Sequence, residues 1–461
     1  MDVTVIGGGP GGYVAALRAA QLGLKVALVE REQLGGTCLN WGCIPTKTLL
    51  HGADLLRELR QAAELGIEVQ GLSFDLGRMV ARSRAVADRL QRGVRHLLAK
   101  AGVQVLAGEG RLDGPGRVAV ALQDGTQQLV SARHVVLATG ARPRELPGLA
   151  FDGDRVWQYR QALQPGALPK SLLVIGAGAI GMEFASFYAA LGTQVCVVEA
   201  QPRVLPECDE EVSAFVQAAS AKDGIRVLVG HRVESAQCSD AGVRVVVARA
   251  GKRETLQAER VLVAIGVLPN TEGLGLPATR AELARDHLVT DAWGATAEPG
   301  LWAIGDLAAG PKLAHKASHD AVRCIERIAG LRDQDRGEHP AIPACTYGHP
   351  QTAAIGLTQQ EATARGHEVR TGKFSLAGNG KALAIADANG FVKTIFDAGS
   401  GALLGAHIVG PNASELIHGL ALATTLETTE AELIATVFPH PTLSEAVHES
   451  VLAAFGRAIH A

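Results

Sequence analysis

No part of this 461-residue chain approaches the ~18 uninterrupted apolar residues of a membrane span. Basic runs are missing too. The 44 Lys and Arg are outweighed by 47 Asp and Glu, and a net charge of −3 gives no electrostatic footprint for nucleic acid. The opening "MDVTVIGGGPGG" has no basic region ahead of an apolar stretch, so it does not read as a secretory signal, and a cytoplasmic protein is expected. There is no disulfide framework: the cysteines number seven, and Cys196, Cys208, Cys238, Cys324 and Cys345 are scattered. An apolar fraction of 47% with 20% charged residues excludes a disordered or collagenous chain. The length exceeds one compact core, so two to four domains are expected.

The two remaining cysteines stand close together in "LGGTCLNWGCIPTKTLL", as Cys38 and Cys43. In a reducing compartment such a pair is more often catalytic or metal-binding than structural. A metal site would want further Cys or His at short spacing, and none flanks the pair, so no metal is expected. Redox chemistry leads, ahead of a small loop-closing disulfide. Pro45 fits the first turn of a helix, and "PTKTLLHGADLLRELRQAAELG" carries apolar residues at helical spacing. That puts Cys43 near a helix N-terminus, where a thiolate is favoured over a thiol. Thiol–disulfide exchange needs one sulfur open to attack and a second that leaves as a stable thiolate.

A repeat runs through the chain. "VTVIGGGPGGYVAALRAAQLGLKVALVE" reads as strand, glycine turn, helix, strand, with Gly7, Gly9 and Gly12 in the G-x-G-x-x-G pattern and Glu30 closing the second strand. "LLVIGAGAIGMEFASFYAALGTQVCVVE" repeats it with Gly176, Gly178, Gly181 and Glu199, each acid standing 18 residues after its third glycine. In a dinucleotide site the first glycine makes the turn and the second admits a pyrophosphate. The third lets the helix pack closely, and the helix N-terminus supplies N–H donors. Glu30 and Glu199 would accept from ribose hydroxyls, and Glu199 would repel a 2′-phosphate, favouring NAD over NADP.

Each unit later closes on another apolar strand and glycine turn, "HVVLATGARP" and "RVLVAIGVLP". In "GLWAIGDLAAG" Asp306 follows a buried strand, where it would reach a ribityl or phosphate-linked hydroxyl of the first nucleotide. The chain therefore returns to its first domain. The expected fold is α/β, with two Rossmann-like dinucleotide-binding domains and a third, C-terminal α+β domain. The divisions are 1–143 with 270–338, then 144–269, then 339–461, with 330–343 a polar linker. "FVKTIF" and "ALLGAHIVG" read as strands of the last domain and "SELIHGLALATTL" as one of its helices.

"GGTCLNWGCIPTK" resembles the redox segment of the flavin-dependent disulfide oxidoreductases, and most closely that of the dihydrolipoamide dehydrogenases. The likeness extends over the chain through "VIGGGPGGYVAA", "ATG", "GAGAIGMEFA", "AIGD", "LAHKASH" and "HPTLSEAV". It implies FAD in the first site, with Glu30, Lys47, Gly110, Thr139, Gly140, Asp306 and Ala314 among its contacts. NAD is implied in the second site, with Val233 and Gly266 among its contacts. It implies that Cys38 exchanges with substrate, that Cys43 lies against the flavin, and that Lys47 pairs with Glu183. By themselves Lys47 and Glu183 read as solvated helix charges.

"TVFPHPTLSEAV" holds His440 between two prolines with Glu445 five residues on, a carboxylate able to orient the ring. The resemblance makes His440 the base, acting on the disulfide of the other subunit of a homodimer. It implies oxidation of protein-bound dihydrolipoamide with NAD⁺ as acceptor, and lipoyl domains of acyltransferase or carrier proteins as partners. Trp41, Val267 and Phe438 depart from the usual pattern. A glutathione reductase would show alanine instead of Gly181 and basic residues instead of Glu199. A non-catalytic nucleotide-binding scaffold is the alternative of a different class.

Overall fold

In the computed structural model, which describes residues 1–331 and 341–460, the apolar run Val3–Ile6 is the middle one of five parallel strands in a seven-stranded sheet. Its side chains alternate. Val3 and Val5 enter one core with Ala15, Ala16 and Ala19 of helix Pro10–Gln21 and with Cys324 and Ile325 of helix Ala314–Ile328. Ile6 enters the core on the opposite face with Val29, Leu106 and Val118. Both faces are covered, which is why the strand reads as continuously apolar instead of alternating with polar residues. Leu301–Ala303, His134–Leu137, Val3–Ile6, Val26–Glu30 and Gln104–Leu112 lie side by side in parallel. The sheet is completed by the antiparallel strands Arg117–Leu122 and Gln127–Ser131. The strand leading to Asp306 thus joins the sheet of the first glycine turn.

By its contacts the described chain divides into two compact units. Met1–Thr48, Arg78–Arg144 and the described part of Val267–His339 make the first, which holds this sheet. Leu49–Gly77, Glu145–Gly266 and the described part of Pro340–Ala461 make the second. Inside the second unit, Arg226–Val229, Gln194–Glu199, Ser171–Ile175, Arg260–Val263 and Val156–Trp157 form an all-parallel sheet in that order. Four of these strands repeat the order of the first sheet's parallel part, with the glycine turn again following the middle strand of five; the edge strand Val156–Trp157 comes before that turn in the chain, whereas Leu301–Ala303 comes after its own. The second unit also contains a five-stranded antiparallel sheet that includes Phe391–Asp397 and Leu403–Val409. Ile417, Leu420, Ala446, Val447 and Val451 of helices Ala413–Thr425 and Glu445–Ala454 share its core. The sequence readings of these strands and of the first of these helices match what is observed. Residues 332–340 of the stretch read as a linker lie outside the described residues.

One ion cluster tests how this second unit is held. Lys393 is 2% exposed and donates to both oxygens of the fully buried Asp209, at 3.0 and 3.1 Å, and to Glu211 at 2.8 Å. Removing one partner of a buried pair strands the other charge in a low-dielectric interior. Lys393→Ala should therefore cost about 3–5 kcal/mol of unfolding free energy, read from denaturant titration. An unchanged midpoint would show that water reaches Asp209. Among the described residues no helix is long and apolar enough to cross a membrane.

Candidate functional site

The two glycine turns have the same geometry, residue for residue. Gly7 and Gly176 take φ of 105° and 104°, a region closed to side chains, as the strand turns into the helix. A Cβ on Gly12 would stand 1.8 Å from the Gly7 carbonyl oxygen, and one on Gly181 would stand 1.9 Å from that of Gly176. The third glycine is thus required by the first glycine's own carbonyl. The middle glycines are different. A Cβ on Gly178 would meet nothing within 4 Å, and one on Gly9 only Gly36 Cα at 3.9 Å. Those backbones are open to a ligand. Gly9 and Gly178 immediately precede helices Pro10–Gln21 and Ala179–Ala190, and neither supplies a side-chain cap to the first-turn donors. Open backbone and uncapped N–H groups are what a pyrophosphate requires, so both turns fit a dinucleotide.

Glu30 and Glu199 brace these turns. Glu30 accepts from the Gly8 amide at 2.6 Å and from Glu32 at 2.7 Å. Glu199 does the same with Ala177 at 2.6 Å and Gln201 at 2.8 Å. Around the first turn, the Thr139 hydroxyl donates to Asn270 O at 2.8 Å, and Gly140 adopts φ 67°. Asp306 sits half-buried after its strand, and burial pushes its carboxyl above the usual range against the pull of Lys312 and Lys316. Ala314 opens the helix Ala314–Ile328. Gly110 faces the core, where a Cβ would crowd Ile6 and Val29 at 3.2 Å. In the second unit, Val233 packs on the core beside Ile175 and Val198, and Gly266 stands open at φ 99°.

Cys38 lies within a six-residue helix, Gly36–Trp41, that the sequence reading did not separate from its neighbour. Gly42 breaks the chain direction, and Cys43 begins the helix Cys43–Gln61. The Thr46 amide reaches back to Gly42 O at 3.0 Å, leaving Pro45 in the first turn, where a donor would have no partner. The two sulfurs are hydrogen-bonded to each other. That bond, then burial and the charge of Cys43, push the Cys38 thiol far above its ordinary value, while Lys47 pulls the other way. The phenol of Tyr13 is raised by burial and then by the charge of Cys38.

The segment between the sulfurs is clamped. Asn40 is 2% exposed and donates to Leu34 O at 3.0 Å and Gly36 O at 2.9 Å. Arg84, from helix Leu76–Lys100, donates to Asn40 O and stacks its guanidinium 4.6 Å from the centre of the Trp41 ring. Trp41, one of the departures, thus serves as a platform for a cation. Neither Tyr13 nor Arg84 was read from the sequence. No motif joins them to the cysteines, and only folding brings them there. Glu183 is 5% exposed on its helix and accepts from the Tyr347 amide at 3.0 Å, so it is not the solvated charge its sequence suggests.

In the second unit, His440 Nδ1 lies 2.9 Å from Glu445 Oε1, and the Thr442 amide donates to Oε2 at 2.9 Å. The Thr442 amide, and then His440, hold the Glu445 carboxyl below its usual range, so it stays anionic at neutral pH. The ring is 78% exposed, and Nε2 is the nitrogen not turned to Glu445. Phe438, another departure, stacks on His448 with centroids 5.1 Å apart. Among the described residues no group of three or more His, Cys, Asp or Glu is placed to hold a metal ion.

The profile of a family described as pyridine nucleotide-disulphide oxidoreductase matches residues 1–321, and that of its dimerisation domain matches residues 342–451. A dihydrolipoyl dehydrogenase of Zymomonas mobilis is 51% identical over 460 residues, covering 100% of this chain and 99% of that protein. One from Bacillus subtilis is 41% identical over 473 residues, with 100% and 99% covered. The crystal structure of LpdA from Mycobacterium tuberculosis superposes with a TM-score of 0.91 at 32% identity, covering 98% of this chain and 99% of that one.

Proposed function

This chain belongs to the pyridine nucleotide-disulphide oxidoreductase family, and from that premise we propose that it oxidises protein-bound dihydrolipoamide to lipoamide with NAD⁺ as final acceptor. The observation that carries the reading is the hydrogen-bonded pair Cys38–Cys43, with its second sulfur at the start of a helix. We read 1–143 with 270–338 as the FAD-binding domain, 144–269 as the NAD-binding domain and 339–461 as the interface domain. FAD would be held by the turn Gly7–Gly12 with Glu30, Lys47, Gly110, Thr139, Gly140, Asp306 and Ala314. NAD would be held by the turn Gly176–Gly181 with Glu199, Val233 and Gly266. When bound, FAD supplies two-electron transfer between a dithiol and a nicotinamide.

The chain's own residues do the rest. In the oxidised pair, a substrate thiolate attacks Cys38 sulfur, the Cys38–Cys43 bond breaks, and Cys43 leaves as a thiolate stabilised by the helix N-terminus. Attack by the second substrate thiolate on the mixed disulfide releases lipoamide and leaves both cysteines reduced. His440, oriented by Glu445, takes the proton from the attacking thiol. The chain carries the family's dimerisation domain, and we take the working molecule to be a homodimer in which His440 serves the dithiol of the other subunit. Lys47 and Glu183 are read as an ion pair that steadies the site, lipoyl domains of acyltransferase or carrier proteins as partners, and the cytoplasm as the compartment.

Steady-state assays of dihydrolipoamide with NAD⁺ or NADP⁺, and of glutathione disulfide with NADH or NADPH, test this. The expected result is the highest kcat/KM for dihydrolipoamide with NAD⁺. A preference for glutathione disulfide with NADPH would make it a reductase of the glutathione type, and no turnover of either substrate would leave a scaffold.

A further inference from the structure

The long helix that supplies Arg84 has a second, outward face. Leu76–Lys100 contains six arginines and Lys100 against a single acid, Asp88, in a chain whose net charge is −3. In sequence these cations look dispersed. At 100° per residue, however, Arg78, Arg82, Arg89, Arg92, His96 and Lys100 fall within a sector of about 80°. All six are exposed, and they lie directly opposite the buried Ser83, Ala87, Val94 and Leu98. The helix has 25 residues, so the stripe runs along roughly 37 Å. On one flank Leu90 and Leu97 are 39% and 50% exposed, a row of apolar contacts beside the charges. On the other flank Arg84 turns inward to Asn40 and Trp41, between the two sulfurs.

We propose that this face of Leu76–Lys100 is a docking surface for an acidic protein domain that carries the dithiol substrate. The inference rests on the reading of the substrate as carrier-bound. Positive charges set in a line attract a surface rich in carboxylates and speed its encounter in a salt-dependent way. The exposed leucines favour a protein partner over a nucleic acid, because a sugar–phosphate backbone has no apolar patch to cover them. Through Arg84 the same helix touches the segment holding Cys38 and Cys43. A domain seated on the stripe therefore sits on the outer side of the helix whose inward flank, at Arg84, contacts that segment.

The test compares two forms of one substrate on the FAD-loaded enzyme: free dihydrolipoamide, and a reduced lipoylated domain of strongly negative net charge. The variant is Arg82→Glu with Arg89→Glu, neither of which belongs to the catalytic machinery. KM for the domain should rise about tenfold at low ionic strength, and the difference should shrink as salt is added. The kinetic constants for free dihydrolipoamide should be unchanged. Equal KM for the domain in variant and wild type, or the same loss on the free substrate, overturns the proposal. Wild-type enzyme that turns over neither form would sink the substrate reading instead. Docking is then decided by calorimetric titration with the oxidised domain: weaker binding to the variant supports the surface, and equal binding overturns it. A short DNA duplex that binds the wild type more tightly than the domain does would also overturn it.

Discussion

Cys43→Ser is expected to reduce dihydrolipoamide oxidation to background while FAD content and thermal stability stay close to wild type. Cys43 is the first residue of its helix, where a serine is sterically and electrostatically tolerated, so the fold has no reason to fail. The chemistry does. Exchange at Cys38 requires a bond to the second sulfur that breaks to give a thiolate, and a serine hydroxyl forms no such bond. The variant cannot form the internal disulfide, so Cys38 stays a thiol and the substrate thiolate has no sulfur–sulfur bond to attack. Turnover within tenfold of wild type, measured with purified flavin-loaded protein, would show that the pair is not the relay and would remove the basis of the proposed function.

The next largest effect belongs to His440→Ala. Removing a positioned acid–base group typically slows proton transfer by about 10²–10⁴-fold. Rapid-mixing reduction by dihydrolipoamide should slow by that amount, while oxidation of NADH by an artificial electron acceptor, which bypasses the dithiol, should continue at its normal rate. The geometry gives the reason for the selectivity. Glu445 is pinned by the Thr442 amide and held anionic, and it takes Nδ1 of the ring, leaving Nε2 for substrate. Normal reduction by the dithiol would reassign the base.

Much of this was legible in the sequence because its signals are local. The glycine turns are one strand, one turn and one helix long, and the exclusion of a side chain at Gly12 comes from Gly7, five residues away. The cysteine pair and the His440–Glu445 pair are also separated by five residues. What escaped depends on distant chain. Arg84 reaches Asn40 across 44 residues, and nothing in either segment's composition announces the contact. Glu183 looked solvated because a charge on a helix usually is; its burial is set by the segment carrying Tyr347. The basic stripe escaped for another reason. Its residues are interrupted by apolar and polar ones along a single helix and line up only after winding, so a search for contiguous positive charge passes over them.

The bracing of the glycine turns has a consequence for coenzyme engineering. On the proposed reading, Glu199 is the residue to exchange for anyone wishing to move preference from NAD to NADP. Yet that carboxylate also ties down two main-chain amides, at Ala177 and Gln201. A basic replacement would welcome the extra phosphate and at the same time unfasten the loop that has to receive it. Selectivity and preorganisation share a single side chain, so a successful redesign must supply new acceptors for those amides before it can profit from the changed charge.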